Sequence, residues 1–323
     1  MKQMTLASAG FEKHGKTTRR AQFLADMNRV VPWSKLCALI EPHYSRGVAG
    51  RPPIGVERML RIYFLQQWFN LSDPAVEESL YDVLSMREFV GIDLGHEAAP
   101  DETTILRFRH LLEKHELGKR LFEEVGRHLQ ANGLKLSTGT IVDATIIAAP
   151  SSTKNQDGER DPEMKQARKG NQWYFGMKAH IGTDSKSKLI HSVTVTGANV
   201  HDSQQLEQLL HGNEERVYGD SAYIGQKARI RAKSPRARDF TNAKNQPNRP
   251  LTDRERETNR RKSQVRCKVE HAFLIIKRVF GFAKVRYRGL AKNANRVFAT
   301  AALANLYMVR RYLLRLEQGS CAQ

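Results

Sequence analysis

At Thr140 the hydrophobic period of this chain changes. Thr140-Ile141-Val142-Asp143-Ala144-Thr145-Ile146-Ile147 is apolar and β-branched almost throughout, the pattern of a strand covered on both faces. One residue breaks it. A lone carboxylate in the middle of such a strand is costly unless it is paired or holds a metal, so Asp143 is either a hydrogen-bonded structural residue or a ligand. After this strand, Tyr174 to Thr183 and Leu189 to Thr196 alternate as a hairpin around Asp184-Ser185-Lys186-Ser187. A helix follows from Asn199-Val200-His201-Asp202-Ser203, with Asp202 as its cap, to about Leu210. Arg216-Val217-Tyr218-Gly219 then makes a short strand ending at Asp220, and Asp239-Phe240-Thr241 a brief last one. A strand reached through a helical crossover runs parallel to its neighbour, and ligands gather at the carboxyl ends of such strands. The expected class is mixed α/β, of the α+β kind. The polar stretch from Ala149 to Gln172 reads as a loop.

Before Thr140 the period is helical. Phe23 to Met27 and Trp33 to Ile40 are short helices broken at Pro32, and Gly47 to Pro53 is a loop exposing Arg51. Met59, Leu60, Tyr63, Phe64, Gln67 and Trp68 follow the helical spacing. Asp73 is expected to cap the next helix with Pro74 in its first turn, and Asp101 the one after. Arg107, Arg109 and His110 decorate its polar side, and Asn132-Gly133 closes the region. Residues 1–133 therefore form an expected all-α domain for DNA binding or dimerisation, and 134–323 a second domain. Short capped helices with tight turns suit a helix-turn-helix reader, and equally any small bundle.

A later helix is delimited at both ends. Thr252-Asp253-Arg254-Glu255 has capping-box spacing, and Gly281 supplies a stop after Phe280. Val269, Phe273, Ile276 and Phe280 make one apolar stripe. Arg266, Glu270 and Lys277 fall within about 40° of one another at 100° per residue. A carboxylate between two cations is an ordinary salt-bridge ladder, or a grip on a metal and a phosphate together.

Charge weighs between those alternatives. The formal net charge is +19. Between Lys227 and Lys292 there are 21 Lys/Arg against 5 Asp/Glu. Because that block contains the capped helix and interleaved aromatics, it reads as an ordered phosphate-facing surface, with nucleic acid before membrane as partner. Cys37, Cys267 and Cys321 are scattered with no CxxC pair, which argues against a zinc ribbon or disulfide framework and fits a reducing cytoplasm. The most apolar helical run, Val297 to Val309, is too short for the roughly 20 residues a membrane span takes.

Asp143 on a strand, Asp220 at the end of a neighbouring strand and Glu270 on a helix offer three hard oxygen ligands, suited to one or two Mg²⁺ ions in phosphodiester displacement. In this order the chain resembles the DDE transposases of bacterial insertion sequences, most of all the insertion-sequence-five family, over roughly Gly50 to Tyr312. The resemblance rests on Leu71-Ser72-Asp73-Pro74, Pro100-Asp101-Glu102-Thr103-Thr104, Val142-Asp143-Ala144-Thr145, Arg160-Asp161-Pro162-Glu163-Met164, Gly170 through Lys178, and Gly219-Asp220-Ser221-Ala222-Tyr223. The family's last signature is Tyr, two residues, Arg, three residues, Glu, six residues, Lys. Arg266, Glu270 and Lys277 fill its last three places, while Ser263 stands where the Tyr would be.

The resemblance implies an RNase H-like catalytic domain with a mixed five-stranded sheet. It implies catalytic and metal-binding roles for Asp143, Asp220 and Glu270, with two Mg²⁺ ions and Mn²⁺ able to substitute. Arg266, Lys277, Lys178, Arg260, Arg261 and Lys262 become the expected DNA and phosphate contacts. The expected partner is double-stranded DNA, at the element's terminal inverted repeats and at the target, bound by a homodimer. Two other readings stay open: a structure-selective nuclease of the same fold that never joins strands, and a non-catalytic repressor derived from a transposase.

Overall fold

Strand β1 (Gly139–Ala148) is the axis of the sheet. In this computed structural model, which describes residues 16–45, 47, 53–134, 136–156, 158–245 and 248–320, β1 runs antiparallel to β3 (Gln172–Asp184), with Thr140 opposite Asp184 and Ala148 opposite Gly176. On its other side β1 pairs in parallel with β5 (Arg216–Tyr218), and β5 with β6 (Arg238–Asp239). β4 (Ile190–Gly197) pairs antiparallel to β3 along the edge away from β1. These five strands form the expected mixed row, β4-β3-β1-β5-β6. The sheet has a sixth strand, β2 (Lys165–Lys169), within the stretch expected to be loop; it pairs with the first residues of β3. Its run of Lys and Arg hides it from a reading based on apolar alternation. Arg51 lies outside the described residues.

Among the described residues, seven α-helices precede the sheet: α1 (Arg19–Val30), α2 (Trp33–Ile40), α3 (Val56–Trp68), α4 (Asp73–Asp82), α5 (Leu84–Val90), α6 (Glu102–Lys114) and α7 (Leu117–Ala131). Asp101 caps α6 as expected, its Oδ1 accepting from the Thr104 amide at 2.7 Å. The cap of α4 is Ser72, whose Oγ accepts from Ala75 N at 3.2 Å. Asp73 instead turns inward to Arg109, at 2.9 Å, and Gln66, at 2.7 Å. Arg109, expected on the polar side of α6, is buried. It is satisfied by Asp73, by Glu113 at 2.7 Å and by the Tyr287 ring at 4.0 Å. A buried charge persists only with such partners.

The segment Asp202–Leu209 is a 3₁₀ helix. His201, not Asp202, is its cap. α8 (Lys227–Lys233) lies between β5 and β6, and after the sheet come α9 (Asp253–Arg266), α10 (Val269–Leu274) and α11 (Leu290–Ser320). The N-terminus of α11 is held from an unexpected quarter: the Asp161 and Glu163 carboxylates accept from Gly289 N and Leu290 N, placing negative charge where a helix N-terminus favours it. No helix among the described residues is long and apolar enough to cross a membrane.

The faces of β1 alternate, as the pleat requires. Ile141 and Ile147 join a large apolar cluster that extends from Leu24 and Leu60 through Phe273 to Leu303 and Leu313. Val142 joins a smaller one with Leu206, Val217, Tyr223 and Ile230. The larger cluster takes in the helices before β1 and those after it, so the two regions share apolar packing. α11 is the common partner. It lies against α7, α1 and β4, and the Asn305 amide exchanges hydrogen bonds with Ile190 N and O at 2.8 and 2.7 Å.

Where α7 meets α11 the backbones touch. Gly118 N donates to Asn295 Oδ1 at 2.7 Å, and a Cβ on Gly118 would fall inside the van der Waals radius of the Asn295 carbonyl oxygen. Gly118→Ala is therefore expected to push the two helices apart and lower stability by about 1–3 kcal/mol, read from urea unfolding of the whole chain.

Candidate active site

Asp143 lies on the face of β1 that carries Ile141 and Ile147, and α10 packs on β1. Its Oδ1 accepts from Ala144 N at 2.8 Å, and its Oδ2 from Arg266 Nη1 at 3.1 Å. Only 15% of its side-chain surface is exposed. Burial raises its pKa to about 7; the Ala144 amide and Arg266 pull it down, and the negative charges of Asp220 and Glu270 push it up. Asp220 and Glu270 are thus both near enough to act on Asp143. Among the described residues, no group of three or more His, Cys, Asp or Glu is drawn together closely enough to hold a metal ion.

Asp220 comes near Asp143 because β5 is short and parallel to β1. Immediately after Gly219 its Oδ1 accepts from Ala222 N at 2.9 Å, starting the turn Ser221–Tyr223. The turn buries the Tyr223 ring completely and leaves its hydroxyl without a hydrogen-bond partner. The pKa of Tyr223 is well above the usual phenol value, through burial first and then through Asp202, Asp143 and Asp220. The sequence carried one signal for this residue, the Gly219–Tyr223 motif, which does not say that the ring turns inward.

Glu270 stands on a helix that differs from the one expected. The capping box at Thr252 and Glu255 is present, and Gly281 ends the segment with φ +71°. The helix between them is interrupted. Cys267 and Lys268 form a turn held by bonds to the third preceding residue, Lys268 N to Val265 O at 3.2 Å and Glu270 N to Cys267 O at 3.1 Å. Ile275–Val279 is then a π-helical turn, closed by Phe280 N on Ile275 O at 2.9 Å. One tightening and one widening replace the uniform 100° step. Neither Gly nor Pro marks either place, so local pattern does not announce them. The net result still brings both cations onto β1: Arg266 on Asp143, and Lys277 Nζ on the Ile146 carbonyl at 2.6 Å. Burial, with Lys169 and Arg278 nearby, lowers the Lys277 pKa. Glu270 itself is exposed. Ser263 accepts from Asn242 Nδ2 at 2.9 Å.

The other expected contacts separate. Arg260 is exposed, and Arg261 is exposed but paired with Glu257 at 3.1 Å. Lys262 donates to Thr241 O at 2.7 Å, tying α9 to the segment after β6. Lys178 is not brought to the carboxylates. It stands opposite Ile146, on the other face of the sheet from Asp143, bound to Asp202 at 2.9 Å and to Val200 O at 2.7 Å. His180 lies beside it, donor or acceptor to Thr196 Oγ1 at 2.8 Å, with its pKa lowered to about 4 by burial.

The mixed sheet, with β1 antiparallel to β3 and parallel to β5 and with helices packed on it, is an RNase H-like fold. Residues 135–306 match the family model described as "Transposase DDE domain", and residues 12–111 the one described as "Transposase domain (DUF772)". The chain belongs to the DDE transposase family. It is also similar to a solved structure titled "Cryo-EM structure of piggyBac transposase synaptic complex with hairpin DNA (SNHP)", at 10% identity and a TM-score of 0.45, over 93% of this chain and 78% of that one.

The turn before Glu270 is braced from the β3–β4 hairpin. Lys268 Nζ donates to Ser185 O at 2.8 Å. Ser185 is in turn fixed by Asp184, which is buried and accepts from Ser137 N at 2.7 Å, Ser187 N at 2.6 Å and Lys186 N at 3.1 Å. Burial works to raise the Asp184 pKa, but the hydrogen bonds from Ser137 and Ser187 outweigh it and hold the group below its usual value. A carboxylate depressed in the folded state stabilises the fold above its unfolded pKa and loses that contribution as pH falls through the folded one. Asp184→Asn is thus expected to cost about 2 kcal/mol at neutral pH, measured by urea unfolding. The gap between variant and wild type should close in acid below the usual carboxylate range.

Proposed function

We propose that the chain binds the terminal inverted repeats of an insertion sequence and cuts and joins DNA there, with Asp143, Asp220 and Glu270 as its catalytic carboxylates. The observation that carries this reading is a carboxylate, Asp143, set in a buried strand with Arg266 as its ion-pair partner, beside a strand that ends just before Asp220 and a packed helix that carries Glu270. Family membership supports it.

The donor set fits Mg²⁺, with Mn²⁺ able to substitute. It offers hard carboxylate oxygens only, and a divalent cation would offset both the burial of Asp143 and the negative charge near it. Asp143, Asp220 and Glu270 would hold the ions, which when bound would supply Lewis acidity to a phosphodiester. The remaining work falls to this chain's cations. Arg266 has one nitrogen on Asp143 and a buried Nε without a partner, so its fork has donors left for a phosphate. Lys277 places one N–H on Ile146 O and keeps two for a phosphate oxygen. Both are held at β1 before substrate arrives, which removes part of the ordering cost. A homodimer is the smallest symmetric assembly that treats two element ends alike. The free thiols Cys37 and Cys267 fit a reducing cytoplasm.

Asp143→Asn, Asp220→Asn and Glu270→Gln each remove a ligand charge without adding bulk. Each should lower Mg²⁺-dependent cleavage of an end-labelled repeat duplex by about a thousandfold, with DNA binding by gel shift retained. Wild-type protein given precut ends with free 3′-hydroxyls should join them to a plasmid. Cleavage without joining would mean a nuclease of the same fold, and wild-type cleavage by Glu270→Gln would remove Glu270 from the ligand set.

We assign end recognition to residues 1–133 and chemistry to 134–323. Short helices of the first region suit groove reading, whereas surplus charge in the second reads backbone. Because the regions share apolar packing, the test keeps the chain whole. Arg260→Gln with Arg261→Gln should flatten the slope of log K against log salt by about 0.9 for each phosphate no longer neutralised, equally on repeat and random duplex. Lys262, bound to Thr241 O, is left out of that set. Arg107→Ala with His110→Ala, both exposed on α6, should reduce the preference for repeat over random duplex in competition binding. The opposite pattern would place sequence reading in the second region.

A further inference from the structure

The most exposed large apolar side chain among the described residues is Trp173, 67% exposed. It sits on the ribbon that β2 forms with the start of β3. This pairing runs from Lys165 opposite Gly176 to Lys169 opposite Gln172. It begins where the others stop, since β1 ends opposite Gly176 and β4 ends opposite Met177. The ribbon therefore continues past the edge of the sheet by roughly 17 Å, at about 3.3 Å per residue. A hairpin of this kind has little apolar cover of its own.

Its composition is one-sided. From Met164 to Thr183 there is no Asp or Glu, and Lys165, Arg168 and Lys169 are all exposed. Trp173 and Arg168 stand directly opposite one another, so they share a face. Further along that face Phe175 lies under the Arg160 guanidinium, 5.7 Å from the ring centroid. Lys165 and Lys169 occupy the other face. The ribbon leaves the sheet at Gly176, opposite Ala148 and two residues along β1 from Ile146, whose carbonyl accepts from Lys277 Nζ, so it extends from the end of β1 that Lys277 meets.

An exposed tryptophan set among cations is well suited to nucleic acid. Every base offers a π-face on which an indole stacks regardless of sequence, and flanking cations track the phosphates. We propose that the β2–β3 ribbon is a DNA-gripping arm beyond the Ala148 end of β1, with Trp173 stacking on an unpaired base, Arg168 on the same face neutralising the adjoining phosphates, and Lys165 and Lys169 holding backbone that passes along the other face. The proposal rests on the DNA-processing reading above and adds to it a contact that none of the carboxylates supplies.

The protein reports this contact itself. Of its three tryptophans, Trp68 is buried and Trp33 is packed against Phe64, Phe89 and Arg61, which leaves Trp173 as the one open to a ligand. The experiment titrates the whole chain with two labelled duplexes, one blunt and one with three unpaired nucleotides at an end. Anisotropy of the label gives binding, and indole emission gives stacking. Wild type should show quenching that tracks occupancy on the frayed duplex. Trp173→Ala should lose the quenching and bind that duplex roughly tenfold more weakly, with an unchanged salt slope and nearly unchanged affinity for blunt DNA. Trp173→Phe should recover most of the loss. Replacing Lys165, Arg168 and Lys169 by Gln should flatten the salt slope on both duplexes. Wild-type affinity of Trp173→Ala for the frayed duplex, or quenching that survives in it, would overturn the arm while leaving the transposase reading intact. Failure of wild type to bind either duplex would overturn both.

Discussion

A carboxylate in the middle of a buried strand is the constraint on which the strand-bearing half depends. Asp143 cannot sit in β1 without compensation, and the compensation comes from elsewhere in the chain. Arg266 reaches it from the end of α9, and α10 must then approach β1 closely enough to cover the strand. That requirement fixes where Glu270 stands. On the other side, the parallel pairing of β5 with β1 brings Asp220 to the same strand's flank. The site is thus assembled by the fold's need to place one charge, with three separate elements converging on β1 for that reason.

The helix carrying Glu270 shows how regular structure is adjusted to meet such a need. A uniform α-helix from Thr252 to Phe280 would keep its stripe in register with itself and not with the sheet. The tight turn at Cys267-Lys268 and the wide one at Ile275–Val279 let Val269, Ala272 and Phe273 enter the core while Arg266 and Lys277 both address β1. π-Turns of this kind occur often at functional sites. The brace from Lys268 to Ser185 gives the tight turn a fixed point outside the helix.

Much of this was legible from local pattern. β1, the β3–β4 hairpin, the parallel β5, the caps at Asp101 and Thr252 and the stop at Gly281 all follow from side chains interacting with neighbours a few residues away. The readings that changed were those settled by distant partners. Asp73 has the chemistry of a cap, but Arg109 lies closer to its needs, and Ser72 takes the role. Asp202 likewise leaves the cap to His201 and binds Lys178. β2 has no apolar alternation because neither of its faces is covered. The helix interruptions have no marker residue at all; they answer to the position of a strand more than a hundred residues earlier in the chain. At the candidate site the carboxylates were visible as residues in order, whereas the opposite-face placement of Lys178 required the strand register.

α11 has a consequence for the life of the molecule before it is finished. The helices ahead of β1 and the edge strand β4 both complete their apolar cover on this one helix, which follows them in the chain. A ribosome adding about 5–20 residues per second exposes the early helices well before their partner exists. Until α11 arrives, Leu24, Leu60 and their neighbours belong to an unfinished surface that chaperones can recognise. Damage to that single helix would therefore uncover apolar surface in both regions together.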